Sequence, residues 1–261
     1  MFKRSFNTRE GRIVKSKTTK TTYPEHVKRK LQDSVEDSAV ASTLTSPIVT
    51  LVVGTEQRLF AAHEDILCHS SYFAAALKGK FLDDSSKKVE LPDEEPEVLS
   101  CVLEYLYKGD YYPRLLHNKR RNTWDLEDQD LKHGGGRGGT SSASTIFLSG
   151  AAGGEVLRDT VIYCAAEKYG LDELKRLALR KQGLQSGVQV DVILRSARYA
   201  YENTPDTESR LRAHYLALII RSRKTFKRSG TMQMEMENGG KLFFDLFVAM
   251  CNHIDDIVEI R

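Results

Sequence analysis

The sequence predicts an α+β fold, on three observations. The β-branched apolar run Ile48-Val49-Thr50-Leu51-Val52-Val53, closed by Gly54, is how a buried strand reads. Val98, Leu99, Val102, Leu103 and Leu106 recur at helical spacing between Pro96 and Gly109. From Leu157 onward the apolar residues follow helical periods with few interruptions.

Residues 1–44 come first and have the composition of a disordered, basic tail. In the first twenty, Lys3, Arg4, Arg9, Arg12, Lys15, Lys17 and Lys20 are opposed by Glu10 alone. Val27, Leu31, Val35 and Ala39 are spaced by four, which reads either as a short helix over residues 25–40 or as an apolar stripe without a partner. After the first strand, Arg58 to His63 reads as a second, and Val89-Glu90-Leu91 as a third. Pro96 suits the first turn of a helix because its missing N–H costs nothing there. Asp93, Glu94 and Glu95 favour the positive end of the helix dipole, and Gly109 supplies a left-handed stop.

The pattern breaks between about residues 114 and 155. His117, Lys119, Arg120 and Arg121 form a basic cluster, Trp124 follows, and residues 134–142 are a Gly/Ser run with the composition of a flexible linker. A structureless stretch this long inside a compact domain argues for a projecting insertion. Val161, Ile162, Ala165, Ala166 and Tyr169 then form a helical stripe ended by Gly170, and Leu174, Leu177 and Ala178 carry the next. Val190, Ile193, Leu194, Ala197 and Tyr201 predict a further helix, with Thr204 and Pro205 read as the cap and first residue of its successor. Leu211, Tyr215, Leu218 and Ile219 line that successor. Residues 232–240 read as a loop, and Leu242, Phe243, Leu246, Phe247 and Met250 as a last stripe, expected to pack on the other helices.

A formal net charge of +3 is too small to argue nucleic-acid binding by itself. No apolar run approaches the roughly 20 residues that span a bilayer, and no apolar centre of a secretory signal stands near Met1. Cys68, Cys101, Cys164 and Cys251 are scattered, with Cys101 and Cys164 among apolar neighbours, so buried thiols in a reducing compartment are expected. An intracellular protein, cytoplasmic and/or nuclear, follows.

No catalytic constellation emerges. A Gly-x-Ser-x-Gly elbow is absent, His63-Glu64 lacks the second His of a zinc-protease helix, and Cys251 with His253 has no partners at ligand spacing. The Gly-rich run lacks the Gly-Lys-Ser/Thr ending of a phosphate loop. His63 is read as a hydrogen-bonded corner residue between strand and helix. No enzyme activity, cofactor or metal is expected. Two basic runs, residues 26–30 and 221–228, are open between import signals, nucleic-acid contact and solvated faces.

The order of strand, His63, Ser70, Phe73, Leu91-Pro92 and Tyr107-Lys108-Gly109 resembles the BTB/POZ domain, and in detail its fungal branch. The resemblance implies a small mixed sheet flanked by helical hairpins. The stretch from Val161 to Leu174 resembles the last helix pair of that module. The expected organisation is therefore a tail over 1–44, a module over 45–182 interrupted at about 114–155, and a helical region over 186–261. It implies a non-enzymatic adaptor that homodimerises. BTB adaptors that recruit a cullin carry an apolar residue, any residue, then Glu before the Lys-rich turn; here Phe81-Leu82-Asp83 stands at the matching place, with Asp one methylene shorter. That makes these three residues the candidate cullin contact of a ubiquitin-ligase substrate receptor. Phe81 as core and Asp83 as a solvated turn residue is the other reading. A nuclear regulator assembling at chromatin is the alternative function. The sequence departs from the family at the first strand, where Pro47-Ile48 stands in place of the usual Asp, and between His63 and Phe73, which is one residue short.

Overall fold

The computed structural model describes residues 46–80, 87–120, 122–127, 146–150, 153–185 and 187–259. β1 (Ile48–Val53) and β2 (Arg58–His63) pair antiparallel with Leu51 opposite Phe60. Gly54 turns the chain between them at φ +73°, and an added Cβ there would meet the Glu94 carbonyl at 3.2 Å. Two helices follow, α1 (Glu64–Leu67) and α2 (Ser71–Lys80), and then β3 (Lys88–Leu91), which joins the other side of β1 in parallel with Val89 opposite Leu51. The sheet order is thus β2-β1-β3.

α3 (Pro96–Lys108) begins on Pro96 and ends on Gly109 at φ +72°, as its sequence predicts, and buries Val98, Leu99, Val102 and Leu103. Leu51, Leu67 and Leu103 lie in one apolar core.

The region expected to be a projecting insertion holds two hairpins. β4 (Leu115–Asn118) pairs with β5 (Thr123–Leu126), and β6 (Ile146–Ser149) with β7 (Gly154–Leu157). Residues 128–145, with the Gly/Ser run, lie outside the described residues. These strands are only four residues long and mix apolar with polar residues, so no clear alternation announces them in the sequence. β7 is also tied inward: the Leu157 N–H donates to Ser196 Oγ at 2.8 Å, and Arg195 reaches the Glu155 carbonyl at 3.0 Å.

α4 (Arg158–Tyr169) is more than the amphipathic helix its stripe predicts. Asp159 to Ala166 are buried without a break, because α2, α3, β7 and the two following helices all pack on it. α5 (Asp172–Gly183) lies against α4, and α6 (Val190–Asn203) packs on both β7 and α4.

Thr204 closes α6 rather than opening the next helix. Its hydroxyl donates back to the Ala200 carbonyl at 2.6 Å, and Arg212 holds the connection by reaching Thr204 Oγ1 at 3.2 Å and Asp206 at 2.9 Å. α7 (Arg210–Arg221) therefore starts six residues later. α8 (Arg223–Phe226) and α9 (Gly230–Asn238) follow. α9 stands where a loop was expected; its alternating Met and polar residues give no clean stripe, and it is held by buried Met232 and by the Glu235–Arg198 ion pair. α10 (Lys241–Glu259) ends the described chain. Leu194, Ile219, Phe226, Met232 and Leu246 form a second, smaller core.

Lys175 gathers Glu208 (3.0 Å), Asp172 (3.1 Å) and Glu167 into one ion cluster. Burial raises the Glu208 pKa, but the hydrogen bonds from Lys175, Tyr163 and the Arg210 N–H, with the Lys175 charge, together hold it below the usual value. A carboxyl depressed in the folded state contributes stability above its unfolded pKa and loses it as pH falls through the folded one. Glu208→Gln is expected to flatten the acid limb of a melting-temperature profile taken between about pH 6 and pH 3.

Candidate interaction surfaces

The predicted contact Phe81-Leu82-Asp83 lies outside the described residues, which resume at Lys87. On one side α2 buries Phe73 and Leu77. On the other, the Lys87 carbonyl accepts the Thr50 N–H at 2.8 Å, and the Lys87 ammonium pairs with Glu64 on α1.

His63 sits at the corner between β2 and α1, as its position suggests. Its backbone N–H donates to the Tyr107 hydroxyl at 2.9 Å, and its Nδ1 lies 2.7 Å from the same oxygen. The Tyr107-Lys108-Gly109 motif thus locks the end of α3 to the sheet. Ile48 is the Cα partner of His63, and residues 59, 61 and 63 share one face of β2. That face is apolar and open, with Ile48 62% and Leu59 71% exposed on a sheet-edge hairpin. Exposed edge strands are ready to pair with another chain.

A polar hub that the sequence does not announce lies beneath the β4–β5 hairpin. The Lys181 ammonium is fully buried and donates to the carbonyls of Tyr111 (2.6 Å) and Pro113 (2.8 Å) and to Asp110 Oδ1 (2.5 Å). Burial pulls its pKa down, and the Asp110 carboxylate works against that. It also stands 3.6 Å from the centre of the Tyr111 ring. The Tyr111 hydroxyl donates to buried Asp159 at 2.7 Å, and Gln185 reaches the other Asp159 oxygen at 3.1 Å. Burial raises the Asp159 pKa, with Tyr111 and Gln185 opposing. These groups are bonded to one another in a closed network, with the Asp110 carboxylate also receiving the Tyr111 and Leu115 N–H groups. In a basic segment (Lys175, Arg176, Arg180, Lys181) such a residue reads as solvated surface, and only the fold identifies which side chain is inside.

Among the described residues no group of His, Cys, Asp and Glu could hold a metal ion, Cys251 and His253 included. No helix among them is long and apolar enough to cross a membrane. All four cysteines are free thiols. Cys164 is buried, and burial pushes its pKa up to about 12; Cys101 is half-buried rather than fully so, with its pKa raised by the same cause. Cys68 is exposed. Because the thiolate is the reactive form, a maleimide at neutral pH is expected to label Cys68 in the native protein and Cys164 only after denaturation, read by peptide mass.

The last helix departs from its expected packing. Leu242 and Leu246 face inward, but Phe247 and Met250 do not, and with Phe244 and Ile254 they leave an apolar face in solvent. Near it the basic run is also exposed at Arg221, Arg223, Lys224, Lys227 and Arg228.

Residues 48–119 match the BTB/POZ domain family. The match begins at β1, covers the sheet and α1 to α3, and stops at the first turn of the β4–β5 hairpin. No curated protein matches the sequence. A BTB/POZ domain is a protein–protein interaction module.

Proposed function

We propose that the chain is a non-enzymatic adaptor that pairs with itself through the BTB module and presents bound proteins to a cullin-based ubiquitin ligase. The observation that carries this is the β2-β1-β3 sheet with α1 to α3 over the span that matches the BTB/POZ family; the cullin part rests on the sequence Phe81-Leu82-Asp83. In this reading the Phe81 ring fills a pocket on the cullin while the Asp83 carboxylate orients it. Self-pairing is supported by the open apolar face of Ile48 and Leu59. We place the protein in the cytoplasm, the nucleus or both.

The test is co-purification from a lysate of tagged full-length chain. A cullin is expected with the native sequence and not with Phe81→Ala plus Asp83→Ala; equal recovery with that variant overturns the cullin contact. For self-pairing, Leu59→Asp is expected to weaken the association seen by sedimentation velocity by at least about tenfold, the loss of roughly one buried apolar anchor. The chromatin reading draws on the exposed basic run from Arg221 to Arg228. DNA affinity falling steeply with salt would select it.

A further inference from the structure

α10 turns one apolar flank to the body and another to solvent. Between α10, α8, α9 and the end of α7 runs a groove of about 480 Å³, lined by Ile220, Phe226, Met236, Phe247, Met250 and Ile254. Phe247 and Ile254 are 66% and 56% exposed. Burying residues of this size in water-free contact is strongly favourable, so the face wants a cover. The charges around it indicate what kind. Arg223 and Lys227 stand on the groove itself, with Lys224 and Arg228 exposed beside them. The slot is basic along its α8 side, while exposed Glu237, Asp255 and Asp256 stand beside Met236 and Ile254 on its other walls; the basic side fits an amphipathic helix with acids flanking its apolar residues.

The chain itself carries such a helix. On α10, exposed Asp255 and Asp256 directly follow Ile254, one turn and a half beyond Met250. We infer that this groove is a second self-association site, in which the acidic end of α10 from one copy lies against the basic α8 side of the groove of another. Because groove and helix belong to the same surface, two copies related by a two-fold axis satisfy both contacts at once. The site is remote in sequence from the sheet face of Ile48 and Leu59, so it adds to the pairing proposed above and does not depend on it.

The test uses two full-length charge-reversal variants. The first carries Arg223→Glu and Lys227→Glu, and the second Asp255→Lys and Asp256→Lys. Either alone sets like charges against each other in both contacts, so its self-association is expected to weaken by at least about tenfold. Mixed in equal amounts they restore complementarity in both contacts, and the native assembly size returns in sedimentation velocity. If the BTB face also pairs, the native chain is larger than a dimer and each variant falls to a dimer. If that face does not pair, the native chain is a dimer and each variant a monomer, so the two readings fail separately. Variants that match the native chain alone, or a mixture that restores nothing, overturn the inference. Phe247→Asp with Ile254→Asp, both at exposed positions, provides a second arm with loss expected and no rescue by either charge variant.

Discussion

Lys181→Met is expected to lower the unfolding free energy by about 3–5 kcal/mol, the cost of removing one partner from a buried ion pair. The amine is enclosed by the Tyr111 and Pro113 carbonyls, the Asp110 carboxylate and the face of the Tyr111 ring. Methionine fills the volume but donates nothing, so two carbonyl oxygens lose this donor and the partly buried Asp110 carboxylate loses its counter-charge, keeping only the Tyr111 and Leu115 N–H groups. Domains of ordinary stability hold about 5–15 kcal/mol in all, which makes this a large fraction of the total. Lys181→Arg is expected to rescue little, since a planar fork does not fit a cage shaped around a single ammonium. Urea unfolding followed by circular dichroism gives the size of the loss. Its location is read separately, because Trp124 is the chain's single tryptophan and lies on β5, with His117 at 4.6 Å and the Arg180 guanidinium at 5.2 Å from its ring. Asp110 also receives the Leu115 N–H that starts β4. Tryptophan emission in Lys181→Met is thus expected to shift at lower urea than the helical signal. A single coincident transition close to the native midpoint would refute the role assigned to the hub.

What could be read from the sequence divides along the range of the interactions involved. β1 and α3 were legible because their determinants are local: a β-branched run, a proline at the start, a left-handed glycine at the end, all at the predicted places. The same local reading misplaced Thr204, whose hydroxyl serves equally as a helix N-cap or as a back-bond to the preceding turn. Arg212, eight residues on, decides between them. It also missed β4 to β7, where four-residue strands exist only in the presence of their partners, and α9, which depends on Arg198 thirty-seven residues away. At the candidate site, the corner role of His63 was readable, because it follows from its place between strand and helix. The Lys181 hub was not, since burial of one lysine among several is a tertiary fact. Nor was the exposed flank of α10, where a stripe of apolar residues says that a helix wants company without saying how much of it the chain supplies.

Phe73→Ala is expected to cost about 3–5 kcal/mol, and its cost should depend on a residue ninety-six positions away. Phe73 on α2 is fully buried and stacks on Tyr169 at the end of α4, with ring centres 5.0 Å apart and planes 16° from parallel. Beside that pair, the Ser70 hydroxyl donates to the Tyr169 carbonyl at 2.7 Å in a buried contact, and Gly170 follows at φ +66°. A Cβ at Gly170 would come within 2.4 Å of Ser71 Oγ. The joint therefore fits two helices closely on either side of the β4–β7 region, and it bears on whether α4 belongs with the matched BTB span or with the helices after it. If α4 completes the module, the Phe73→Ala and Tyr169→Ala effects on global unfolding should be non-additive by about 0.5–1.5 kcal/mol, the range measured for aromatic pairs in contact. Unfolding of Tyr169→Ala should then remain one transition that takes the β1 sheet and α4 together, observable by hydrogen exchange at Leu51 and Ile162. Two separate transitions, or strictly additive effects, would place α4 in a unit of its own and confine the module to the residues before the hairpins.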